Sequence, residues 1–185
     1  MVTISSLWLP ILLSAAGVWM MSFLVWVVLP HHKSDYKSLP DEDAARKALT
    51  PQNLEPGLYN IPHVTSWDEL KKPEVVKKFE DGPAAFITVV PKGVPTMGKK
   101  MVLSFVHNLF VAVVVAYMAG RTLSAGAEYL AVFRVAGTTA WLACGAAYIS
   151  DAIWFGRTWT AIGKFLFDAL LYALVMAGIF GWLWP

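Results

Sequence analysis

The stretch from residue 128 to residue 150 (EYLAVFRVAGTTAWLACGAAYIS) restricts the fold of this chain more than any other. At a rise of about 1.5 Å per residue, a helix of this length crosses a hydrocarbon core of about 30 Å. Small residues recur four positions apart in two rows, Ala136, Ala140 and Cys144, and Ala143 and Ala147. Small side chains let helices approach closely inside a membrane. We therefore predict a membrane helix at the centre of a small bundle.

Three further apolar runs are long enough to span, at residues 7–29, 101–120 and 164–184. The first run is too long for a signal-peptide core. With 57% hydrophobic residues and a mean hydropathy of +0.53, the chain belongs to the membrane class. The predicted fold is an all-α membrane protein, a four-transmembrane-helix bundle with a small α+β cytoplasmic cap between helices 1 and 2. The boundaries are residues 1–29 for helix 1, 30–100 for the cap and 101–185 for helices 2–4.

The cap shows the patterns of short elements bounded by proline. Residues 57–61 and 85–90 are apolar and β-branched enough for two strands. One helix is expected to end near residue 49, before Thr50-Pro51. Ser66 and Glu69 match a capping box, which predicts a second helix starting there and bent or broken at Pro73.

Lysine and arginine predict the orientation. Eleven of the fifteen lie in residues 30–100, and Arg157 and Lys164 flank the link at residues 151–163. Only Arg121 marks the opposite side. The positive-inside rule therefore predicts a cytoplasmic cap and both termini outside the membrane. The net charge of +2 arises from mixed signs, so no basic patch predicts a nucleic-acid partner. The apolar runs predict a lipid bilayer as partner.

Three polar residues lie within the predicted spans. Arg134 is either an anion or lipid-headgroup site or a side chain that extends to the membrane surface. His107 and Asp168 fall at a common depth in helices 2 and 4, so they could hydrogen-bond if those helices are neighbours. Such a pair would serve as a proton relay or ligand platform, or simply as a bond between helices.

The sequence HHKSD after the first span offers a candidate metal site of His31, His32 and Asp35. Imidazole and carboxylate suit zinc, copper or iron. Adjacent histidines point in different directions, however, and interfacial histidines often meet headgroups instead. The single Cys144 excludes an intrachain disulfide. Because only His107 lies within a span, haem is disfavoured, and the cofactor is left unknown.

Five stretches together resemble a family of short, uncharacterised bacterial inner-membrane proteins. They are LPHHKSDYKSLPDEDA (29–44), GLYNIPH (57–63), GPAAFITVVPKGVPTMGK (82–99), YLAVFRVAGT (129–138) and FGWLWP (180–185). The resemblance implies a four-helix protein of the bacterial inner membrane, and with the positive-inside rule this predicts periplasmic termini. It carries no active-site residue.

The usual enzyme motifs for serine hydrolases, nucleotide-binding loops and zinc proteases do not occur, so no catalytic residue is predicted. The first functional hypothesis is a non-catalytic accessory, assembly or stabilising subunit, with other membrane subunits or further copies of itself as partners. One alternative is a small transporter or ion-handling protein using His107 and Asp168. The other is a metal-binding membrane protein using His31, His32 and Asp35.

Overall fold

A computed structural model describes residues 1–185 and divides the chain into two compact units. The bundle comprises Met1–Tyr36 and Thr96–Pro185, and the cap comprises Lys37–Pro95. Residues 30–36 and 96–100, which the sequence boundaries placed in the cap, therefore belong with the bundle. The helices are α1 (Trp8–Phe23), α2 (Glu42–Leu49), α3 (Pro73–Asp81), α4 (Met97–Thr122), α5 (Tyr129–Gly145), α6 (Ala147–Phe155) and α7 (Trp159–Trp182). The strands are β1 (Gly57–Ile61) and β2 (Ala85–Val89).

Four helical segments are long and apolar enough to cross a membrane, which confirms the predicted number of candidate spans. They are Ile4–Val28, Met97–Thr122, Tyr129–Phe155 and Trp159–Trp182. The first consists of a 3-10 turn, α1 and a π-helical segment at Leu24–Val28. The third joins α5 and α6 with little interruption. Their length and apolar composition are those of helices that cross a bilayer.

The four spans form a ring in which each packs against two neighbours. The first span packs against α4 and α7, and α5 packs against the same two helices. The stretch at residues 128–150 therefore lies at one corner of the bundle, and the expectation of a central helix was wrong. One row of small residues is buried at the contacts, with Ala136 and Ala140 fully covered, whereas Ala143 and Ala147 are exposed.

Glycines set the close approach of α5 to α7. A Cβ added at Gly145 would lie 2.9 Å from Cβ of Ala169, and one at Gly137 would lie 3.1 Å from Cβ of Ala177. Because lipid is as apolar as the side chains, such close backbone contact is a main source of helix association in a membrane. The contact fixes the position of α7, which carries Asp168.

The link between the third and fourth spans is much shorter than the predicted 151–163. The helix continues through Asp151, where the link was expected to begin, to Phe155, because residues 151–155 contain no glycine or proline to interrupt it. Asp151 also forms an ion pair with Arg157 (3.4 Å). Gly156 ends α6 in the left-handed region (φ 69°), and the Thr158 side chain accepts a hydrogen bond from the backbone N–H of Ala161. The fourth span therefore begins five residues before Lys164.

The cap contains the predicted two strands, which pair antiparallel with Tyr59 opposite Ile87. Its second helix starts at Pro73 and not at Ser66. The Glu69 carboxylate accepts hydrogen bonds from the backbone N–H and the hydroxyl of Thr65, so it holds a turn there. Proline is favoured at the first position of a helix, where no N–H is needed. No cap side chain is buried.

Candidate metal centre

The candidate site lies at the end of the bundle where the first span ends and α4 and α7 begin, called the site end below. After Val28 the chain leaves the helix, and His31–Ser34 forms a 3-10 turn that packs against α7. Pro30 precedes this turn and prevents the helix from continuing through it. The turn holds His32 in a buried position, 6% exposed.

Both adjacent histidines reach the same carboxylate, that of Asp168 on α7. The Nε2–H of His31 donates to Oδ1 of Asp168 (2.9 Å), and the Nε2–H of His32 donates to Oδ2 (2.6 Å). The two imidazole rings lie 4.2 Å apart between centroids, inclined by 41°. Adjacent histidines were expected to point in different directions, but these two converge on one carboxylate, whose two oxygens bond to one ring each. Asp168 itself is 2% exposed.

A second carboxylate holds the opposite side of His32. The Nδ1–H of His32 donates to Oδ2 of Asp35 (2.6 Å), while Oδ1 of Asp35 is paired with the ammonium group of Lys164. The same ammonium group donates to the hydroxyl of Ser34 (2.8 Å). Burial by itself raises the pKa of Asp35, but hydrogen bonds and charge from Lys164 and His32 outweigh it and lower the pKa overall. Asp35 therefore stays ionised at neutral pH and fixes the orientation of the imidazole.

Aromatic rings enclose the pair of histidines. The indole of Trp26 stacks on His32 with 3.9 Å between centroids and only 5° between planes. Phe165, one turn before Asp168 on α7, lies 5.3 Å from the same imidazole. These rings exclude water from one side of the site and strengthen the electrostatic interactions inside it.

The donor set fits a divalent transition metal ion. His31, His32 and Asp168 each offer one ligand atom, and these atoms lie within 4.8 Å of one another. Bonds of about 2.0–2.2 Å, as zinc forms with nitrogen and oxygen, require ligand atoms roughly 3.3 Å apart. The two hydrogen-bond distances would widen by less than 1 Å, and the widest separation among the ligand atoms, at most 4.8 Å, would narrow towards the same value. The metal would take the place of the two Nε2 protons. Two imidazoles and one carboxylate are ligands typical of zinc and non-haem iron.

Asp35 occupies the position of an outer-shell partner. Histidines that ligate a metal usually donate their other ring N–H to a carboxylate or carbonyl, which fixes the ring and raises its basicity. The Nδ1–H of His32 makes this bond to Asp35. Asp35 was predicted as a ligand; its two carboxylate oxygens bond to His32 and Lys164, and the cluster of possible ligand atoms holds Asp168 in its place.

The other polar residues predicted within the spans lie apart from this site. His107 is not hydrogen-bonded to Asp168, because α4 and α7 face each other across the ring instead of being neighbours. His107 is exposed and lines a cleft between the first span and α4. Arg134 is exposed beside Trp141 and Leu170 and makes no ion pair, as expected for a side chain that extends to the membrane surface.

Sequence reasoning missed two features of the site. It grouped Asp168 with His107 and not with His31 and His32, although all three site residues were placed near the same side of the membrane. It treated Lys164 only as a topological signal, although Lys164 precedes Asp168 by one helical turn and so shares its face.

Comparison of this chain with protein-family models, curated proteins and solved structures found no match.

Proposed function

We propose that this chain is a multi-pass membrane protein that binds one divalent transition metal ion through His31, His32 and Asp168. The observation that carries the proposal is the convergence of three ligand atoms within 4.8 Å. It is supported by Asp35, which orients His32 from outside the ligand set. Zinc or iron(II) matches the ligand chemistry best.

Elemental analysis of the protein, purified in mild detergent through a tag without histidine, tests the proposal. We expect about one ion per chain in the unaltered protein and none after His32→Gln. The matched control is His63→Gln, since His63 is a cap histidine bonded only to Asn60. Asp35→Asn should retain the site but weaken affinity roughly 10- to 100-fold, as loss of an outer-shell carboxylate does. Absence of stoichiometric metal, or its retention in His32→Gln, would refute the assignment.

A second proposal, an accessory or assembly subunit, is favoured by the exposed cap. None of its side chains is buried, and Leu58, Trp67 and Val94 are 81%, 80% and 92% exposed. A unit of this size with no buried side chain has no core of its own, so a partner surface is expected to stabilise it. The test is native-level purification followed by mass spectrometry, comparing the unaltered chain with Leu58→Asn/Trp67→Ser. A specific partner lost in the double variant would support this role, and recovery of only monomer or homo-oligomer in both would contradict it.

Ion transport through His107 and Asp168 is the remaining alternative. The two residues do not bond to each other, so a transport path would have to use them separately. Flux into proteoliposomes that is unchanged by His107→Ala and by Asp168→Asn would eliminate this role.

We also propose a bacterial inner membrane as the location, with both termini in the periplasm. The basis is the resemblance described above together with the distribution of lysine and arginine. Eleven of the fifteen lysine and arginine residues lie in residues 30–100, and Arg157 and Lys164 lie at the site end of the bundle. The positive-inside rule then places the site end at the cytoplasmic surface.

A further inference from the structure

A groove of about 320 Å³ lies on the outside of the bundle, along the close contact of α5 with α7. Two small residues, Gly137 and Ala173, form its floor, because the helices approach each other there. Leu170 and Leu174 of α7 form one wall, and both are exposed. In a chain that crosses a bilayer such a wall faces the lipid tails, which are as apolar as leucine. The occupant of this groove therefore comes from the lipid phase.

The groove has one charged side chain, that of Arg134, at the end farther from the metal-binding residues. Arg134 is exposed and makes no ion pair or hydrogen bond. It lies five residues after Tyr129, the first residue of α5, and so about 7.5 Å along the helix axis. Because helical side chains point towards the N-terminus of their helix, the guanidinium group extends from this depth back to the membrane surface. A guanidinium group is well suited to bind the phosphate groups that lie at that level.

A second donor without a partner lies one helical turn deeper on the same face. Thr138 is exposed in the groove and its hydroxyl makes no hydrogen bond, whereas the hydroxyl of Thr139 donates to the backbone carbonyl of Val135 (2.8 Å). Thr138 follows Arg134 by about 6 Å along the helix axis. A phospholipid carries its acceptors in the same order, with the phosphate at the surface and the ester carbonyls below it.

The charge of the groove favours an anionic phospholipid over the other lipids. No carboxylate lines the groove, so the ammonium or choline group of a zwitterionic headgroup would lie near Arg134 without a counter-charge. A glycerol headgroup has no cation, which leaves the phosphate to the arginine alone. A free fatty acid supplies a carboxylate for Arg134 but no second acceptor for Thr138. Inorganic phosphate would leave the apolar wall of the groove uncovered.

We propose that this groove retains one anionic phospholipid, whose phosphate binds Arg134 and whose ester carbonyl accepts a hydrogen bond from the hydroxyl of Thr138. One acyl chain then lies against Trp141 and Leu170, which continue the groove towards the site end. The volume lies at the lower end of the range for small-molecule pockets, which suits part of one acyl chain. Binding requires neither the metal ion nor the cap.

The test is native mass spectrometry of the chelator-treated protein in mild detergent, titrated separately with dioleoyl-phosphatidylglycerol and dioleoyl-phosphatidylcholine. We expect one phosphatidylglycerol per chain at saturation, bound about fivefold more tightly than phosphatidylcholine, as for one exposed ion pair. Arg134→Gln should weaken binding of phosphatidylglycerol about tenfold or more, because a charge-assisted hydrogen bond is lost. Arg121→Gln is the matched control: it removes the same charge at the same end of the bundle, but Arg121 lies outside the groove, over the ring of Tyr117. Its affinity should be unchanged.

A threonine pair tests the second contact. Thr138→Val removes only the hydroxyl at similar volume and should weaken binding about two- to tenfold, as for one neutral hydrogen bond. Thr139→Val should change nothing, because that hydroxyl is bonded within its own helix. Arg134 and Thr138 make no bond inside the protein, so both variants should melt at the temperature of the unaltered chain when no lipid is added.

Three results would overturn the proposal. The first is equal affinity of Arg134→Gln and Arg121→Gln for phosphatidylglycerol. The second is equal affinity of the unaltered chain for the two lipids, which would show that the groove holds bulk lipid. The third is displacement of phosphatidylglycerol by inorganic phosphate at comparable concentration, which would assign Arg134 to a free anion.

Discussion

Substitution of Asp168 by asparagine should destabilise the bundle far more than the same change at Asp151. Asp168 is 2% exposed and accepts hydrogen bonds from two imidazoles, at 2.9 and 2.6 Å. Asparagine keeps one acceptor and turns an N–H group towards the other histidine, so at least one charge-assisted bond is lost and two donors face each other. Each such bond contributes about 1.5–3 kcal/mol, and we expect a loss of about 2–4 kcal/mol in the free energy of unfolding.

Asp151 is the matched control, because it lies at the same end of the bundle but its ion pair with Arg157 is partly exposed. The atoms are 3.4 Å apart, and the side chains are 34% and 45% exposed. Pairs of this kind contribute at most about 1 kcal/mol. For a chain of this length, 1 kcal/mol corresponds to about 2–4 °C, so Asp168→Asn should melt roughly 5–15 °C lower and Asp151→Asn within about 4 °C of the unaltered protein.

The single cysteine provides the assay. Cys144 is half-buried in α5, so a maleimide that fluoresces on reaction reports the opening of the bundle during a thermal ramp in detergent. A chelator keeps bound metal from contributing to stability in all three proteins. If Asp168→Asn melts within 2 °C of Asp151→Asn, the buried carboxylate does not organise this end of the bundle, and the network described here is wrong.

Two further predictions concern helix packing and topology. Gly181→Ala would place a Cβ 2.7 Å from Cε2 of Tyr129 and should lower stability by about 1–3 kcal/mol, whereas Gly163→Ala meets no atom within 4 Å and should be neutral or slightly stabilising in the same thermal assay. In a variant whose native cysteine is replaced by alanine, a cysteine at Ser124 should react with an impermeant maleimide in intact cells and one at Ser38 should not; the reverse pattern would place the site end outside.

The sequence alone determined the elements that depend on local composition. Four apolar runs predicted four spans, since the bilayer thickness sets the length that a helix needs. The short runs at residues 57–61 and 85–90, the second of them rich in β-branched residues, predicted both strands. Errors appeared at element ends. The third span continues past its expected end because the first glycine that can stop it is Gly156, and the second cap helix starts at Pro73 instead of Ser66, because proline suits the first helical position.

The tertiary structure decided which helices are neighbours, and with them the site. Side chains that face lipid and those that face another helix are equally apolar, so hydropathy does not order the spans around a ring. That order brings Asp168 to His31 and His32, more than 130 residues away in the chain, and takes it away from His107. The site residues were visible in the sequence, but their grouping depended on the close contact of α5 with α7 and on the 3-10 turn that packs against α7 after the first span.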